Sequence, residues 1–534
     1  MKKRYILFGV ILLPIIILSG ISSEISEKEF STSTWGLPEA QLSQIVELKD
    51  GDTYDLTASF VKKNINGNAV RMLAYNGSVP GPTLKVPQGA TVKINFKNDT
   101  DIGNTLHSHG VRMENASDGV PDVTQEIVPV GGSFAYVLKF PDAGAYWYHP
   151  HVRDDYTIEM GLYGNFLVTP KEGSSWNKVD REEMVFIDDI LLEKGDIAPF
   201  KKEGADRTLM GRYGNTMFVN GETDYTLSVK KGEVVRFYFT NSANVRPFNL
   251  TIVGTKMKLV GGDSGLYERD TWADSVMINP SERAIVEVLF DKEGSYELQN
   301  KTSEKTYTLG GIVVSGGETS LAPGKSFSDL RLHPEISKSI DQFRSSFTKK
   351  VDKQMKLSIY MMGGSNMGGM MTGGAMMEGG MGSSTGVPKG GIEWEDTDMS
   401  AMNMMSDTKM IAWNIVDEDS GKKNMDIDWD FKVGDKVKIR ITNDGTSMPA
   451  RMTEGIQSGG HPMQHPIHFH GQRFLVVNKN GVQQTNLVWK DTVLVLAGEY
   501  VDIILDASNK GTWMAHCHIA EHLEAGMMMT FKVE

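Results

Sequence analysis

The sequence lacks several features that would direct its interpretation elsewhere. It has one cysteine, Cys517, in 534 residues, so no disulfide can form within the chain. No basic stretch occurs beyond the first few positions and the formal net charge is -13, which argues against a nucleic-acid partner. An apolar run near the N-terminus, from Ile6 to Leu18, is not followed by a cysteine, which excludes a lipid anchor at a cleavage-site cysteine.

That apolar run predicts export. Lys2, Lys3 and Arg4 precede it and small residues follow it, which is the layout of a secretory signal. We expect residues 1–23 to be a signal peptide, or an N-terminal membrane anchor if they are not cleaved. The protein is therefore expected to be periplasmic or extracellular, or to lie at the cell surface, with no other membrane contact.

Two patterns recur three times along the chain. One reads Gly-x-x-Val-x-apolar-x-apolar-x-Asn, and the other begins at a glycine, alternates apolar side chains, and ends in histidines in two of its copies. The first occupies residues 89–98, 232–241 and 434–443, and the second occupies 144–151, 294–301 and 511–518. Alternation with turn residues at both ends is typical of β-strands. Two ordered elements in triplicate predict an all-β chain of three Greek-key β-sandwiches.

The spacing of the repeats predicts the domain boundaries. The second interval between copies of the first pattern is about 59 residues longer than the first interval. A charged, serine-rich linker and a Met/Gly-rich tract account for the difference. The predicted domains are residues 35–172, 173–320 and 355–534, with a linker at 321–354 and the Met/Gly-rich insertion at 361–405.

Ten of the twelve histidines fall in four clusters. The clustered histidines are His107, His109, His149, His151, His465, His468, His470, His516, His518 and His522. Side chains two apart on a strand point to the same face, so each His-x-His pair aims both rings one way. Four such pairs offer eight imidazoles, which suits a cluster of three copper ions.

The same alternation separates a second site. Cys517 lies between His516 and His518 and must point away from their rings, and His465, three residues before His468, points away from the next pair. His522 and Met527 follow the strand and can turn back towards the cysteine. Two histidines, a thiolate and a weak thioether form a blue-copper electron-transfer centre. A structural zinc site would favour four closed ligands and needs no link to a second site.

The four motifs, His-x-His-Gly, His-x-His, His-Pro-x-His-x-His and His-Cys-His-x-x-x-His-x-x-x-x-Met, resemble those of the three-domain, laccase-like multicopper oxidase family. The resemblance implies cupredoxin-like domains, four copper ions, and O2 as the electron acceptor. It implies type 1 copper at His465, Cys517, His522 and Met527, type 2 copper at His107 and His468, and a type 3 pair at His109, His149, His151, His470, His516 and His518. Gln299 and Lys301 replace histidines in the second domain, so the first and third domains are expected to share the cluster.

Two carboxylates are expected to supply protons for O2 reduction. Asp118 follows His109 by nine residues and Glu521 directly precedes His522, and both match positions at which related enzymes carry relay acids. The alternatives are a turn residue before Gly119 for the first and a surface acid for the second.

Thirteen methionines lie between Met361 and Met410, on a segment too rich in glycine to bury them all. Thioethers are soft ligands that prefer Cu(I). The tract resembles that of bacterial copper-efflux or cuprous oxidases, and this resemblance implies Cu(I) as the substrate and a role in copper tolerance. His461 and Met463 are expected to form a docking site for the substrate copper, although His461 could equally be an exposed loop ring.

Three alternatives remain open from the sequence. The first is a laccase that oxidises phenols and aromatic amines, since a blue copper accepts electrons from any small reducing substrate that reaches it. The second is oxidation of Fe(II), for which only a few carboxylates of the insertion are available. The third is a copper-storage protein without turnover. The chain is expected to act as a monomer.

Overall fold

The computed structural model describes residues 28–174, 176–317, 325–361, 391–396, 400–443 and 463–534. Strands predominate in these ranges, and the helices among them contain eight residues or fewer. None of those helices is long and apolar enough to cross a membrane. The predicted signal segment, most of the methionine tract and His461 lie outside the described residues.

The first unit consists of two sheets and one short helix. Its strands are β1 (Ile45–Glu47), β2 (Thr53–Ile65), β3 (Asn68–Tyr75), β4 (Thr83–Pro87), β5 (Thr91–Asn98), β6 (His107–His109), β7 (Ser133–Lys139), β8 (Gly144–His149) and β9 (Gly164–Thr169), and helix α1 (Asp154–Thr157) lies between the last two. The strand orders are β3-β2-β5-β7 and β1-β4-β9-β8-β6.

The second unit repeats the two-sheet arrangement. Its strands are β10 (Arg181–Ile190), β11 (Leu192–Glu193), β12 (Asp196–Ile197), β13 (Thr216–Val219), β14 (Thr226–Lys230), β15 (Val234–Asn241), β16 (Phe248–Ile252), β17 (Met257–Gly262), β18 (Gly265–Ala273), β19 (Val276–Ile278), β20 (Arg283–Leu289), β21 (Gly294–Lys301) and β22 (Thr306–Ser315). The two main sheets have the orders β13-β10-β15-β20-β17-β18 and β14-β22-β21-β16-β19, and β11 pairs with β12.

Two helices, α2 (Lys325–Ser328) and α3 (Pro334–Asp341), lead into the third unit. Its strands are β23 (Lys353–Met361), β24 (Ile411–Asp417), β25 (Trp429–Phe431), β26 (Asp435–Asn443), β27 (His465–Phe469), β28 (Arg473–Lys479), β29 (Val482–Gln483), β30 (Thr492–Val495), β31 (Glu499–Ala507), β32 (Gly511–Cys517) and β33 (Met528–Val533), with helices α4 (Ser400–Met405) and α5 (Ala520–Glu524). The sheets are β24-β23-β26-β31-β28-β29 and β25-β33-β32-β27-β30. The predicted all-β fold is confirmed.

The repeated asparagine performs the same task in all three units. It ends strands β5, β15 and β26, and its side-chain amide is buried. Asn98 donates to the backbone oxygens of Ile102 and Val128, and Asn241 donates to those of Arg246 and Ile278. In the third unit, Asn443 donates to the backbone oxygens of Met463 and Val495. The repeated asparagine therefore anchors the segment that leads into the next strand of each unit.

Strand β15 is buried on both faces, unlike β5, which alternates. One face packs in the core of the second unit. The other face carries Tyr238, which packs with Ala145 and Leu167 of the first unit. Contact between units thus covers a face that an isolated sandwich would expose to water.

The segment predicted to be a linker packs against the sheets. Ile340 and Phe343 join a buried cluster with Leu475 and Trp489 of the third unit. His333, one of the two unclustered histidines, is buried, and its Nε2 lies 2.8 Å from the carboxylate of Asp270. This histidine pairs with an aspartate of the second unit and lies outside the histidine clusters.

Candidate metal centre

Strand pairing aligns the histidine pairs within the first unit and within the third. Strands β6 and β8 are antiparallel neighbours with His107 opposite His149. Strands β27 and β32 are antiparallel neighbours with His468 opposite His516 and Ile467 opposite Cys517. Because side chains alternate along a strand, the residues flanking each histidine point to the other face.

The histidines of the first unit meet those of the third. The ring centroids of His109 and His468 are 3.7 Å apart, and those of His107 and His470 are 4.0 Å apart. Three sets of ligand atoms lie within 4.8 Å of one another: His107 with His109 and His468, His109 with His149 and His518, and His151 with His470 and His516. All eight side chains are buried.

Six of the eight rings have one nitrogen hydrogen-bonded to a group outside the cluster: His107, His109, His149, His468, His470 and His516. The Nδ1 atoms of His107, His149, His468 and His516 lie 2.6 to 2.9 Å from backbone oxygens. A carbonyl oxygen can only accept a hydrogen bond, so these nitrogens carry the proton and donate it. The opposite nitrogens of His107, His149, His151, His468 and His518 have no hydrogen-bond partner.

This arrangement fits metal ligation. Burial lowers the pKa of His516 to about 4, and it lowers the pKa of six further rings of the cluster well below the usual value: His109, His149, His151, His468, His470 and His518. Neutral rings with unpartnered nitrogens that converge in a buried space are what a transition metal requires of its ligands. The outward hydrogen bonds fix the ring orientations, as is usual around metal-bound histidines.

Asp118 joins the two halves of the cluster. Its Oδ2 lies 3.1 Å from Nδ1 of His470, and its Oδ1 lies 3.4 Å from Nδ1 of His107. Its backbone oxygen accepts the Nδ1 hydrogen of His107 at 2.7 Å. The carboxylate is buried. It contacts one histidine of the first unit and one of the third.

A second group lies on the other face of β27 and β32. The Sγ of Cys517 is 3.6 Å from Nδ1 of His465 and 3.7 Å from Nδ1 of His522, and the two Nδ1 atoms are 3.2 Å apart. All three side chains are buried. Burial raises the pKa of the thiol, so a thiolate here needs a cation to stabilise it.

Helix α5 returns His522 and Met527 to the cysteine. The backbone N–H of Met527 donates to the oxygen of His522 at 2.9 Å, and the oxygen of Met527 accepts the N–H of Cys517 at 3.0 Å. The Met527 side chain is fully buried. The ring of Trp413 lies over His522 at 4.2 Å and meets His465 at 4.9 Å between centroids. Two strands, one helix and the residue before β33 thus supply the four residues around the cysteine.

The two groups are adjacent in the chain. Cys517 faces one group, whereas His516 and His518 on either side of it face the other. A single peptide bond on either side therefore separates the residue of the buried thiol from a histidine of the eight-histidine cluster.

Glu521 lies next to the cysteine group in a buried position. Its Oε2 accepts the side-chain N–H of Asn244 from the second unit at 2.6 Å, and burial raises its pKa to about 8. A nearby cavity is lined by Asp154, Asn244, His516 and His518 among others. The sequence alternative of an ordinary surface acid does not hold, because the side chain is buried.

Several neighbours of the site were not found in the sequence. Asp154 lies 3.7 Å from Nδ1 of His151, and its spacing of three residues after that histidine is the one available signal. Asp491 and Trp413 contact the histidines from distant parts of the chain, and Arg283 contacts Asp491. Of the two expected substrate-copper residues, Met463 is buried and His461 lies outside the described residues.

The chain consists of β-sandwiches, and one tripeptide links a buried thiol group to a cluster of eight imidazoles. These features define a redox metalloprotein with two connected centres. Models of the multicopper oxidase family match residues 58–173, 192–316 and 395–534. The chain belongs to the multicopper oxidase family and is an oxidase. Membership implies copper ions as the cofactor, with O2 and a reducing substrate as reactants.

Relatives support this identification over most of the chain. A multicopper oxidase of Staphylococcus aureus is 26% identical over 477 residues, covering 88% of this chain and 85% of that protein. A copper resistance protein A homolog of Pseudomonas syringae pv. tomato is 25% identical, covering 91% and 92%. A laccase of Trametes hirsuta is also 25% identical, covering 92% of both chains.

Solved structures share the fold. A multicopper oxidase of Campylobacter jejuni, described as a metallo-oxidase, has a TM-score of 0.66 at 22% identity and covers 94% of this chain and 99% of its own. The McoA multicopper oxidase of Aquifex aeolicus has a TM-score of 0.65 at 20% identity, covering 95% and 100%.

Proposed function

We propose that this chain is a cuprous oxidase, which couples the one-electron oxidation of Cu(I) to the four-electron reduction of O2 to water. Type 1 copper would be held by His465, Cys517, His522 and Met527, and type 2 copper by His107 and His468. The type 3 pair would be held by His109, His149, His151, His470, His516 and His518. Four resident copper ions would supply electron transfer at the thiolate centre and O2 reduction at the eight-imidazole centre.

Asp118 and Glu521 are proposed to deliver protons. Reduction of O2 to water consumes protons, and a useful donor has a pKa near the working pH. The raised pKa of Glu521, about 8, leaves this buried carboxyl protonated near neutral pH. Asp118 contacts one histidine of each half of the cluster, which is a suitable position for passing a proton between them.

The position of two exposed thioethers favours Cu(I) as the substrate. Met404 and Met405 end helix α4 and are 54% and 66% exposed. Asn403 anchors that helix, since its side chain accepts the N–H of Met210 and donates to the oxygen of Gly211. The chain then continues into β24, whose Trp413 covers the rings of His465 and His522. Soft ligands thus stand on the segment that covers the proposed electron acceptor.

The buried carboxyl group of Glu393 belongs to a residue that is hydrogen-bonded beside Met463 and His465. Glu393 is bonded through its backbone N–H and oxygen to the side chain of Gln464, which separates Met463 from His465. Its Oε2 has no hydrogen-bond partner, and burial together with nearby Asp396 raises its pKa to about 8. We propose that the Met463 segment, with His461, forms the final docking site for substrate copper.

The test compares substrates and methionine variants. The copper-loaded protein should consume O2 steadily with Cu(I), and a protein that binds Cu(I) without consuming O2 would be a store instead. Replacing Met404 and Met405 by leucine should raise the KM for Cu(I) several-fold and leave phenol oxidation unchanged. Met425, an exposed methionine outside the tract, provides the matched Met425→Leu control. Equal kinetics in both variants would remove the support that α4 gives to Cu(I).

Laccase activity towards phenols or aromatic amines is the second candidate, favoured by the similarity to a laccase over 92% of both chains. Assays of O2 uptake with Cu(I), Fe(II) and a phenol, side by side, rank the donors. Replacing residues 362–390 by a Gly/Ser linker of equal length should slow Cu(I) oxidation, and faster phenol oxidation would indicate that the tract hinders bulky donors.

The remaining parts of the proposal concern the whole chain. We propose three cupredoxin-like domains at residues 35–172, 173–320 and 355–534 and an exported, monomeric enzyme with a role in copper tolerance. Two relatives named copper resistance protein A support that role. Cell fractionation with copper-sensitivity assays of a deletion strain tests it.

A further inference from the structure

A buried arginine of the second unit contacts a carboxylate that lies beside the histidine cluster. Arg283 is the first residue of β20 and is fully buried. Its Nε donates to the backbone oxygen of Ala145, and its two terminal nitrogens donate to the oxygens of Ser281 and Asp263. Both terminal nitrogens also donate to the carboxylate of Asp491, one of them at 2.8 Å. All five N–H groups of the guanidinium are therefore used.

Asp491 of the third unit contacts both Arg283 of the second unit and His109 of the first unit. Its Oδ1 lies 3.0 Å from Nε2 of His109 and accepts the hydroxyl hydrogen of Thr492. Its backbone oxygen accepts the Nδ1 hydrogen of His468 at 2.9 Å. One residue therefore orients two rings of the cluster. The bidentate contact with Arg283 fixes the orientation of the Asp491 carboxylate.

His109 differs from the other seven rings of the cluster. It presents Nδ1 inward without a partner, whereas the unpartnered nitrogen of His107, His149, His151, His468 and His518 is Nε2. The Nε2 atoms of His470 and His516 face each other at 3.1 Å. Nε2 of His109 faces the carboxylate of Asp491 and, at 3.1 Å, the hydroxyl oxygen of Thr492. The carboxylate can only accept a hydrogen bond and the hydroxyl donates its hydrogen to that carboxylate, so Nε2 of a neutral His109 carries the proton. Its Nδ1 then keeps the lone pair that a metal needs.

The glycine after His109 makes room for this contact. Gly110 has a φ of +81°, and a Cβ at that position would lie 2.4 Å from Oδ2 of Asp491 and 2.7 Å from a terminal nitrogen of Arg283. Backbone or buried groups cannot yield by that amount without moving the ion pair. The glycine of the His-x-His-Gly motif is therefore explained by the arginine and aspartate that approach it.

We infer that Arg283 and Asp491 are positioning residues that fix the tautomer of His109 and so leave Nδ1 available for copper. The inference rests on the proposed function only for the identity of the metal. It gives the second unit, which supplies none of the eight rings, a direct part in building the centre. Histidine–carboxylate pairs of this kind orient metal ligands and change metal affinity when they are altered.

The first test needs no metal. Nitrogen NMR of the copper-free protein, with isotope-labelled histidine and a His109→Gln variant for assignment, should show the proton of His109 on Nε2. Asp491→Asn keeps the size of the side chain, but Arg283 donates to both terminal oxygens of Asp491, so the NH2 group of the amide opposes an Arg283 donor in either orientation. The pair that holds an acceptor against Nε2 of His109 is thereby broken, and the form of His109 with its proton on Nδ1 should become detectable. A proton on Nδ1 in the unaltered protein would overturn the inference.

Copper binding gives the second readout. Asp491→Asn should bind one copper equivalent about 10- to 100-fold more weakly than the unaltered protein. Arg283→Lys keeps the charge but loses the bidentate contact, and should weaken the same equivalent. Arg236→Lys is the matched control, because Arg236 is also buried in the second unit and pairs with Glu287 away from the histidines. It should lower stability and leave copper content and the His109 tautomer unchanged.

The outcomes separate the two ideas. If His109 carries its proton on Nε2 but the loaded protein does not oxidise Cu(I), the proposed function fails and the inference stands. If Cu(I) is oxidised and the proton lies on Nδ1 in the unaltered protein, the inference alone fails. Asp491→Asn decides the question if Arg283→Lys does not fold.

Discussion

The side-chain amide of Asn443 donates to the backbone oxygen of Met463 at 2.6 Å, two residues before His465. The same amide donates to the oxygen of Val495 on β30, which pairs with β27. The strand that carries His465 and His468 is therefore held at its start by the asparagine that ends β26. The corresponding asparagine of the second unit, Asn241, makes the same contacts where no histidines follow.

Asn443→Ala should therefore weaken the thiolate centre. The variant leaves two buried backbone oxygens without their donor, at a cost of about 2 kcal/mol in the free energy of unfolding. It should also lower the blue absorbance per bound copper, because the start of β27 is released. Asn241→Ala should lose similar stability without a spectral change. Identical spectra for the two variants would show that the anchor has no effect on the centre.

Cys517→Ser should remove the thiolate centre while sparing the other. The hydroxyl of serine is a poor ligand for copper in place of a thiolate. We expect the loss of one copper equivalent and of the blue absorbance, and no steady O2 uptake with any donor. Copper analysis and absorption spectroscopy check this. Retention of the blue colour would contradict the assignment of Cys517.

Asp118→Asn should slow O2 reduction and keep the blue colour. The amide oxygen can still accept from Nδ1 of His470, but the side chain no longer exchanges a proton, and loss of a general acid costs about 100-fold or more in rate. Single-turnover reoxidation of the reduced protein measures the effect. Asp142→Asn, which alters a carboxylate paired with Arg112 and Arg473, is the control. Unchanged turnover in Asp118→Asn would exclude the relay.

The raised pKa of Glu393, about 8 against an ordinary value of 4.5, predicts a pH dependence of stability. Between pH 4.5 and about pH 8, the folded state holds a proton that the unfolded state has lost. The contribution of Glu393 to the free energy of unfolding therefore falls as the pH rises over this range. Glu393→Gln should flatten the decline by up to about 1.4 kcal/mol per pH unit. Denaturant unfolding at about pH 4.5 and about pH 8 measures this change in the free energy of unfolding. Glu418→Gln, which alters an exposed glutamate, is the control. Parallel slopes would refute the prediction.

Local periodicity accounts for much of what could be predicted. Alternation along a strand separates Cys517 from His516 and His518, and it separates His465 from His468, without knowledge of the fold. The structure brings together the same sets, with His465, Cys517 and His522 in one group and the eight rings in the others. Periodicity carries this information because the two faces of a strand are decided by its covalent geometry.

Contacts over long sequence distances could not be predicted in this way. Asp491 meets His109 across 382 residues, and Asp118 meets His470 across 352. No periodic pattern connects such positions, and Arg283 belongs to a unit that shows no histidine motif. The packing of β15 on both faces likewise depends on a neighbouring unit.

The sequence by itself determined the three-fold repeat, the strands that carry the histidines, and the face on which each side chain lies, because these follow from the alternation of a single strand. Only the tertiary structure decided which surfaces of the units meet, that Trp413 covers the thiolate group, and that Arg283 is linked to His109 through Asp491. Those arrangements depend on how separate sandwiches pack, and packing is a property of whole surfaces.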